Sequence, residues 1–331
     1  MQTDNLQIEI TYRDAISMAL KEALDEDQRT FLAGEDIGPY GGAYAVTKGF
    51  TELYGPERIR DTPLAESVIV GAGIGAAMGG LRPIIEIMTI NFTLLAMDQI
   101  VNHAAKLRYM SAGQLSIPLI IRTVTGGGGQ VGATHSQNFE TWYASVPGLK
   151  VVIPSTPYDA LGLFRSCRNE NNPIMFIEHL LLYSSTGVIP KARYEIPLGL
   201  ADVKREGTHV SLITYSRMTN VALEAAEKLS SQGVSVEVID LRCLRPFDMN
   251  TVLQSVRKTH RVLVLEEAWR TCGFGAEIAA NIQEQAFDYL DAPISRIGGV
   301  EIPMPYSKPL EQAAIPDSNK VIDTILAMMN S

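Results

Sequence analysis

The sequence predicts a two-domain α/β protein, and three observations carry that reading. Its 331 residues amount to roughly two domains of ordinary size. Apolar strand-like runs alternate with amphipathic helical patterns from end to end, the signature of a mostly parallel sheet covered by helices on both faces. The alternation lapses once, where Gly187, Pro190, Pro197 and Gly199 accumulate. The domains are therefore expected at residues 1–186 and 205–331, with a linker over 187–204.

The first domain opens with Thr11-Tyr12-Arg13-Asp14, a capping box with Asp in place of Glu. A helix to about residue 26 follows, with Ile16, Ala19, Leu20 and Ala23 on one face. Strands are expected at 30–33, 83–87, 118–123, 150–153 and 174–178, and helices at 66–79, 94–109 and 158–169. The last of these starts beside Thr156-Pro157, a cap residue and a proline suited to the first helical position. In the second domain the strands fall at 210–214, 234–240, 261–266 and 294–297. Its helices fall at 219–231, 249–258, 275–287 and 318–329.

Charge and composition exclude several functions. With 28 basic and 37 acidic residues the net charge is −9, which argues against nucleic acid or an anionic membrane as partner. The uncharged run 67–81 is too short and too glycine-rich to span a bilayer. Residues 1–4 begin neither a signal peptide nor an Arg-rich transit peptide. The expected compartment is the cytoplasm, or an organelle for a processed or plastid-encoded form. Cys167, Cys243 and Cys272 are too far apart and too few for a disulfide framework or a zinc cluster.

The run Val68-Ile69-Val70-Gly71-Ala72-Gly73-Ile74-Gly75-Ala76 looks like a dinucleotide-binding fingerprint, and with it a NAD- or FAD-dependent oxidoreductase. Spacing speaks against it. Glu86, the candidate ribose acid, follows too soon, Leu81-Arg82-Pro83 leaves a short helix, and the motif does not open the domain. The alternative starts a helix at Glu66 or Ser67. Gly71, Gly75 and Gly79 then form one ridge, which permits close approach of another helix, as across a subunit interface.

The flanking residues are more specific. Glu66 is followed by Gly71-Ala72 and Gly75-Ala76, and Arg60-Asp61-Thr62-Pro63-Leu64-Ala65 precedes it. Further matches are Gly80-Leu81-Arg82-Pro83, Glu86-x-Met88-Thr89-x-Asn91-Phe92 and Ala133-Thr134-His135-Ser136-Gln137. Pro147-Gly148-Leu149-Lys150, Leu244-Arg245-Pro246-Phe247-Asp248, Leu290-Asp291-Ala292-Pro293 and Pro303-Met304-Pro305-Tyr306 extend them over nearly the whole chain. Together they resemble the beta subunits of pyruvate dehydrogenase (acetyl-transferring), the decarboxylating component of 2-oxoacid dehydrogenase complexes. The resemblance implies an N-terminal thiamine-diphosphate pyrimidine-binding domain and a transketolase-C-like domain. The branched-chain 2-oxoacid and acetoin dehydrogenase beta subunits are the nearest rivals, because a pocket separates substrates differing by one methylene by only about 1–3 kcal/mol. A non-catalytic scaffold assembled through 71–79 is a further alternative.

The resemblance also implies roles. Glu66 matches the glutamate that bonds N1′ of the cofactor's aminopyrimidine, where a shielded carboxyl can hold or share a proton. On residues alone, Glu66 is an acid complementing a helix dipole. Met88 and Phe92 match residues that pack on the pyrimidine, and Leu64 an apolar neighbour; otherwise each belongs to a core. His135 follows Gly126-Gly127-Gly128-Gly129, which lacks the Gly-Lys-Ser/Thr ending of a P-loop and reads as a loop of turns and mobility. The resemblance makes His135 an active-site histidine for acyl transfer to lipoamide. It implies a structural potassium ion at the carbonyls of Leu119, Cys167, Arg168 and Asn172, with Glu170 as a side-chain ligand. Thiamine-diphosphate enzymes hold the diphosphate and its Mg2+ with a Gly-Asp-Gly motif, and this sequence has none. An alpha subunit is expected to supply it, in an α2β2 heterotetramer that docks on a dihydrolipoamide acetyltransferase core.

Overall fold

The first element, β1 (Gln7–Thr11), hands the chain directly to α1 (Tyr12–Glu26), because Thr11 caps that helix by accepting from the Asp14 amide at 3.1 Å. The structure, a computed structural model, describes residues 6–329. It divides into two units. One takes the residues up to Thr125 together with Trp142–Leu198; the other takes Gly126–Thr141 together with the residues from Gly199 onward.

After α1 the first unit continues with β2 (Thr30–Gly34), α2 (Phe50–Tyr54), β3 (Ile59–Asp61), α3 (Glu66–Met78) and β4 (Arg82–Ile87). It goes on with α4 (Leu107–Met110), β5 (Ile120–Thr125), α5 (Glu140–Ala144), which starts in the other unit, β6 (Lys150–Val152), α6 (Pro157–Cys167), β7 (Ile174–His179) and β8 (Thr186–Pro190). Six strands pair in parallel in the order β6-β7-β5-β4-β2-β3. The β5 and β7 side chains are all buried, as expected where helices cover both faces. The chain runs outward from β2 to β3 and then returns past it to β4. The crevice beyond the carboxyl ends of β2 and β4 is thus the switch point where such sheets bind ligands.

Two parts of the chain differ from the sequence expectation. Residues 94–109 form no single helix; a 3-10 turn (Phe92–Ala96), a π turn (Gln99–Ala104) and α4 replace it. The start of the expected linker is β8, which pairs antiparallel with β1, and its end is the strand Asp202–Arg205. The glycine run, by contrast, lies inside α3, where the helix was expected at 66–79, and not in a strand-to-helix turn, so the dinucleotide reading fails on geometry.

The second unit comprises β9 (Asp202–Arg205), β10 (Val210–Thr214), α7 (Met218–Ser230), β11 (Val236–Asp240), β12 (Cys243–Arg245), α8 (Met249–Thr259), β13 (Val262–Trp269), α9 (Phe274–Ala286), β14 (Ser295–Gly299), α10 (Lys308–Ala314) and α11 (Ser318–Met329). Its sheet has the order β14-β13-β10-β11-β9, parallel except for β9 at the edge. α7 and α11 pack on this sheet around Leu212, Val238, Leu263 and Leu265.

The glycines of α3 do unequal work. Gly73 faces the first sheet: a Cβ there would stand 2.8 Å from Ile85 Cγ1 and 3.3 Å from Leu119 Cδ1. Gly75 has nothing of this chain within 4 Å, and Gly79 closes the helix rather than continuing its ridge. Gly73→Val should therefore destabilise the chain by about 1–3 kcal/mol through overpacking. Gly75→Ala, which adds helix propensity on an open face, should stabilise it by up to about 1 kcal/mol. Urea titration of both variants checks the contrast, and equal signs would contradict it.

Candidate active site

The switch point gathers several of the candidate residues. β2 ends at Gly34, and Glu35 follows at the carboxyl edge of the sheet. β3 ends at Asp61, whose Oδ1 accepts from the Gly38 amide at 2.6 Å and ties the chain after β2 to the segment entering α3. Thr62 N adds a bond to Gly34 O at 3.0 Å. That turn delivers Glu66 as the first residue of α3, after Ala65 at the N-cap, with no side-chain cap. Glu66 and Glu35 are each 6% exposed.

Two buried acids side by side set the electrostatics. Both carboxylate oxygens of Glu35 are buried with no hydrogen-bond partner. Burial, then the Glu66 carboxylate, then Asp36, push the Glu35 carboxyl up to about 7. Near neutral pH it can therefore hold or release a proton. Sequence reasoning missed Glu35; the only signal was an acid directly after the strand expected at 30–33.

α3 also packs against the 3-10 turn opened by Phe92, so Glu66 and Phe92 stand on adjoining elements. Met88 and Phe92 are half-buried, and Leu64, just before α3, is 79% exposed. Phe92 N donates to Thr89 O at 3.0 Å, and Asn91 Nδ2 donates to Thr89 Oγ1 at 3.0 Å, which fixes that turn. His135 belongs to the second unit, unlike Glu66, and is exposed, with Nδ1 2.9 Å from Thr134 Oγ1.

Behind the carboxyl edge lies a buried polar cluster, in which Glu86 finds a role other than ribose binding. Arg122 of β5 donates from Nε to Glu178 Oε1 at 2.7 Å, from Nη2 to Glu178 Oε2 at 3.0 Å, and from Nη1 to Glu86 Oε2 at 2.6 Å. Tyr183 Oη donates to Glu178 Oε2 at 2.6 Å. Burial opposes the charge of Arg122, but Glu178 and Glu86 outweigh it and hold the guanidinium as a cation.

The expected potassium positions do come together. Leu119, Cys167, Arg168, Glu170 and Asn172 line one cavity of about 20 Å³, room for a single water-sized particle. Its carbonyls are partly engaged: Arg82 Nη1 donates to Arg168 O at 2.7 Å and to Glu170 O at 3.3 Å. Lys150 Nζ lies 2.5 Å from Glu170 Oε1. Leu119 O accepts from Ile174 N at 2.9 Å and Cys167 O from Glu170 N at 3.1 Å, and the Glu170 carboxylate is already neutralised.

The Glu35 shift has a definite sign. A carboxyl raised from 4.5 to about 7 binds more protons in the native state than in the unfolded chain across that window. Its contribution is thus full below 4.5 and lost as the pH rises toward 7. Thermal scans should show Glu35→Gln more stable than wild type at pH 8, with the two converging at pH ~4. A difference independent of pH would contradict the assignment.

Comparison with known proteins places the two domains. Residues 8–185 match the transketolase pyrimidine-binding domain and residues 199–321 the transketolase C-terminal domain. The chain is 46% identical over 318 residues to pyruvate dehydrogenase E1 component subunit beta-1, mitochondrial, of Arabidopsis thaliana, covering 95% of this chain and 88% of that one. It is 46% identical to the E1 component subunit beta of Porphyra purpurea (96% of each). It is 44% identical to the mitochondrial subunit of Caenorhabditis elegans (97% and 93%). A split gene transketolase, solved as an inactive beta4 tetramer, shares the fold with a TM-score of 0.78 at 21% identity, covering 96% and 97% of the two chains. The chain belongs to the pyruvate dehydrogenase E1 beta-subunit family, built from the pyrimidine-binding and C-terminal domains of the transketolases.

Proposed function

We propose that this chain is the beta half of an α2β2 pyruvate dehydrogenase E1 enzyme. With its alpha subunit it catalyses oxidative decarboxylation of pyruvate and acetyl transfer to the lipoyl groups of a dihydrolipoamide acetyltransferase core, toward acetyl-CoA. The observation that carries the reading is the buried Glu66 beside Glu35 at the switch point, at the head of a helix whose other face is uncovered.

The residues present suit the pyrimidine half of thiamine diphosphate. Glu66 would hold or move a proton at N1′ of the aminopyrimidine. Glu35, with two oxygens lacking donors and a proton affinity poised near neutrality, would keep Glu66 from facing solvent alone. Met88, Phe92 and the exposed Leu64 would supply apolar contacts to the ring. When bound, the cofactor supplies the carbon nucleophile that adds to the 2-oxoacid carbonyl and stores the electron pair left by departing CO2. His135 would serve the acyl-transfer half, where a neutral imidazole can pass a proton to or from the lipoyl sulfur.

The missing half of the site belongs to the alpha chain. This sequence has no Gly-Asp-Gly for the diphosphate and its Mg2+. α3 carries no charge after Glu66, and Val68 is 69% exposed on it. A helix apolar on every side calls for burial on every side. Its open face at Ala72 and Gly75 fits a close-packed helix of a partner subunit. Potassium, held through the carbonyls of Leu119, Cys167, Arg168 and Asn172, would brace the loop after α6. No helix among the described residues is long and apolar enough to cross a membrane.

Two experiments test this. Glu66→Gln, assembled with the alpha chain, should retain cofactor binding but lose about 10²–10⁴-fold in turnover. Deuterium exchange at the cofactor's C2 should slow in parallel; wild-type exchange would remove Glu66 from catalysis and leave it a helix-dipole acid. Gly75→Leu should leave the chain folded, since its side chain enters open space, yet prevent tetramer formation. An intact tetramer on size exclusion would rule out the helix face as the interface.

A further inference from the structure

Residues 126–141 cluster with the second unit although they follow β5 of the first, and their own backbone supplies the reason. Gly127 N donates to Glu267 Oε1 at 2.8 Å. Gly128 N donates to Glu311 Oε1 at 2.9 Å, and Gln130 N lies 3.1 Å from both oxygens of the same carboxylate. Toward the other end of the segment, Tyr215 Oη stands 3.4 Å from Glu140 Oε1 and 3.3 Å from Glu266 Oε2.

Gly128 at φ +101° and Gln130 at φ +55° aim these amides at one point, in the concave backbone arrangement that binds anions. Here the anion is a side chain of the protein itself. Glu311 on α10 is 1% exposed and has no ion-pair partner among the described residues. A buried carboxylate needs donors, and the loop amides are the ones it has. Packing seals the contact: a Cβ at Gly127 would stand 2.9 Å from Ile315 Cδ1 and 3.0 Å from Met304 Cε. The loop that reads as mobile in sequence is clamped.

We infer that Glu311, seconded by Glu267, is a positioning residue for His135. The inference rests on the acyl-transfer role proposed above for that histidine. A short turn joins clamp to imidazole, with His135 N donating to Gly132 O at 3.3 Å, so a shift at Gly128 and Gln130 is transmitted to the ring. The carboxylate sets where His135 stands and touches no reacting atom.

The test uses the α2β2 enzyme carrying Glu311→Gln, which keeps one acceptor, and Glu311→Ala, which keeps none. Glu267→Gln serves as the second variant should Glu311→Ala fail to assemble. Hydrogen exchange of the segment 126–135 should quicken in each variant, most in Glu311→Ala. Acetylation of free lipoamide should fall about 10–100-fold, the scale of a small misplacement, while dye-linked decarboxylation of pyruvate changes severalfold at most. In a His135→Ala background the added loss should vanish, since both changes remove one function. Unchanged loop exchange, or losses that multiply with His135→Ala, would overturn the inference. Equal losses in both assays for His135→Ala alone would instead overturn the role assigned to the histidine, and the exchange measurement would still decide the clamp.

Discussion

One guanidinium holds the middle of the first sheet in place. Arg122 is 2% exposed and bridges Glu178 of β7 to Glu86 of β4, so three adjacent parallel strands share one charge cluster. The desolvation of each member is offset only while all are present. Removing the cation would leave the buried Glu178 carboxylate unpaired beside the half-buried Glu86, a loss of about 3–5 kcal/mol by the usual measure of a broken buried pair. Register between β4 and β5 follows, with Glu86 opposite Arg122. So does the position of everything that leaves β4 at its carboxyl end, Met88 and Phe92 included.

Carboxylates serve in two opposite ways here, and their donors decide which. Glu311 meets two backbone amides and becomes a fastening for a loop. Glu35 meets none, so its proton is retained toward neutral pH. Both are glutamates buried near strand or helix ends, and composition cannot tell them apart. The difference lies in whether the facing backbone presents N–H groups. Positive φ at Gly128 and Gln130 provides them at Glu311.

α3 shows how one helix can satisfy two neighbours. Its sheet side is trimmed at Gly73 to let the helix settle on Ile85 and Leu119. Its far side is trimmed at Gly75, where nothing of this chain lies within 4 Å, while Gly71 makes room for the Gln99 side chain. Such a helix loses propensity at each glycine, about 1 kcal/mol apiece, and recovers it only when both sides are packed. Burial of Glu66 at its head depends on the same arrangement, because the helix delivers that carboxylate to the edge of the crevice rather than to solvent.

What the sequence determined by itself is what depends on neighbours along the chain. The α1 cap at Thr11, the Thr156-Pro157 start of α6, the glycine spacing of α3 and the strand–helix alternation of both units are local patterns, and each stands where periodicity put it. Glu66, Met88 and Phe92 were singled out as candidates through motifs of the same short range. Tertiary structure alone decided the rest. The breaking of 92–110 into three short turns, the pairing of β1 with β8, and the entry of β9 into the second sheet depend on partners far away in sequence. So do the pressure of Glu66 on Glu35 and the grip of Glu311 on residues 128 and 130. A hydrogen bond or a Coulomb contact between distant residues leaves no period in the chain. It exists only once folding has removed the water between them.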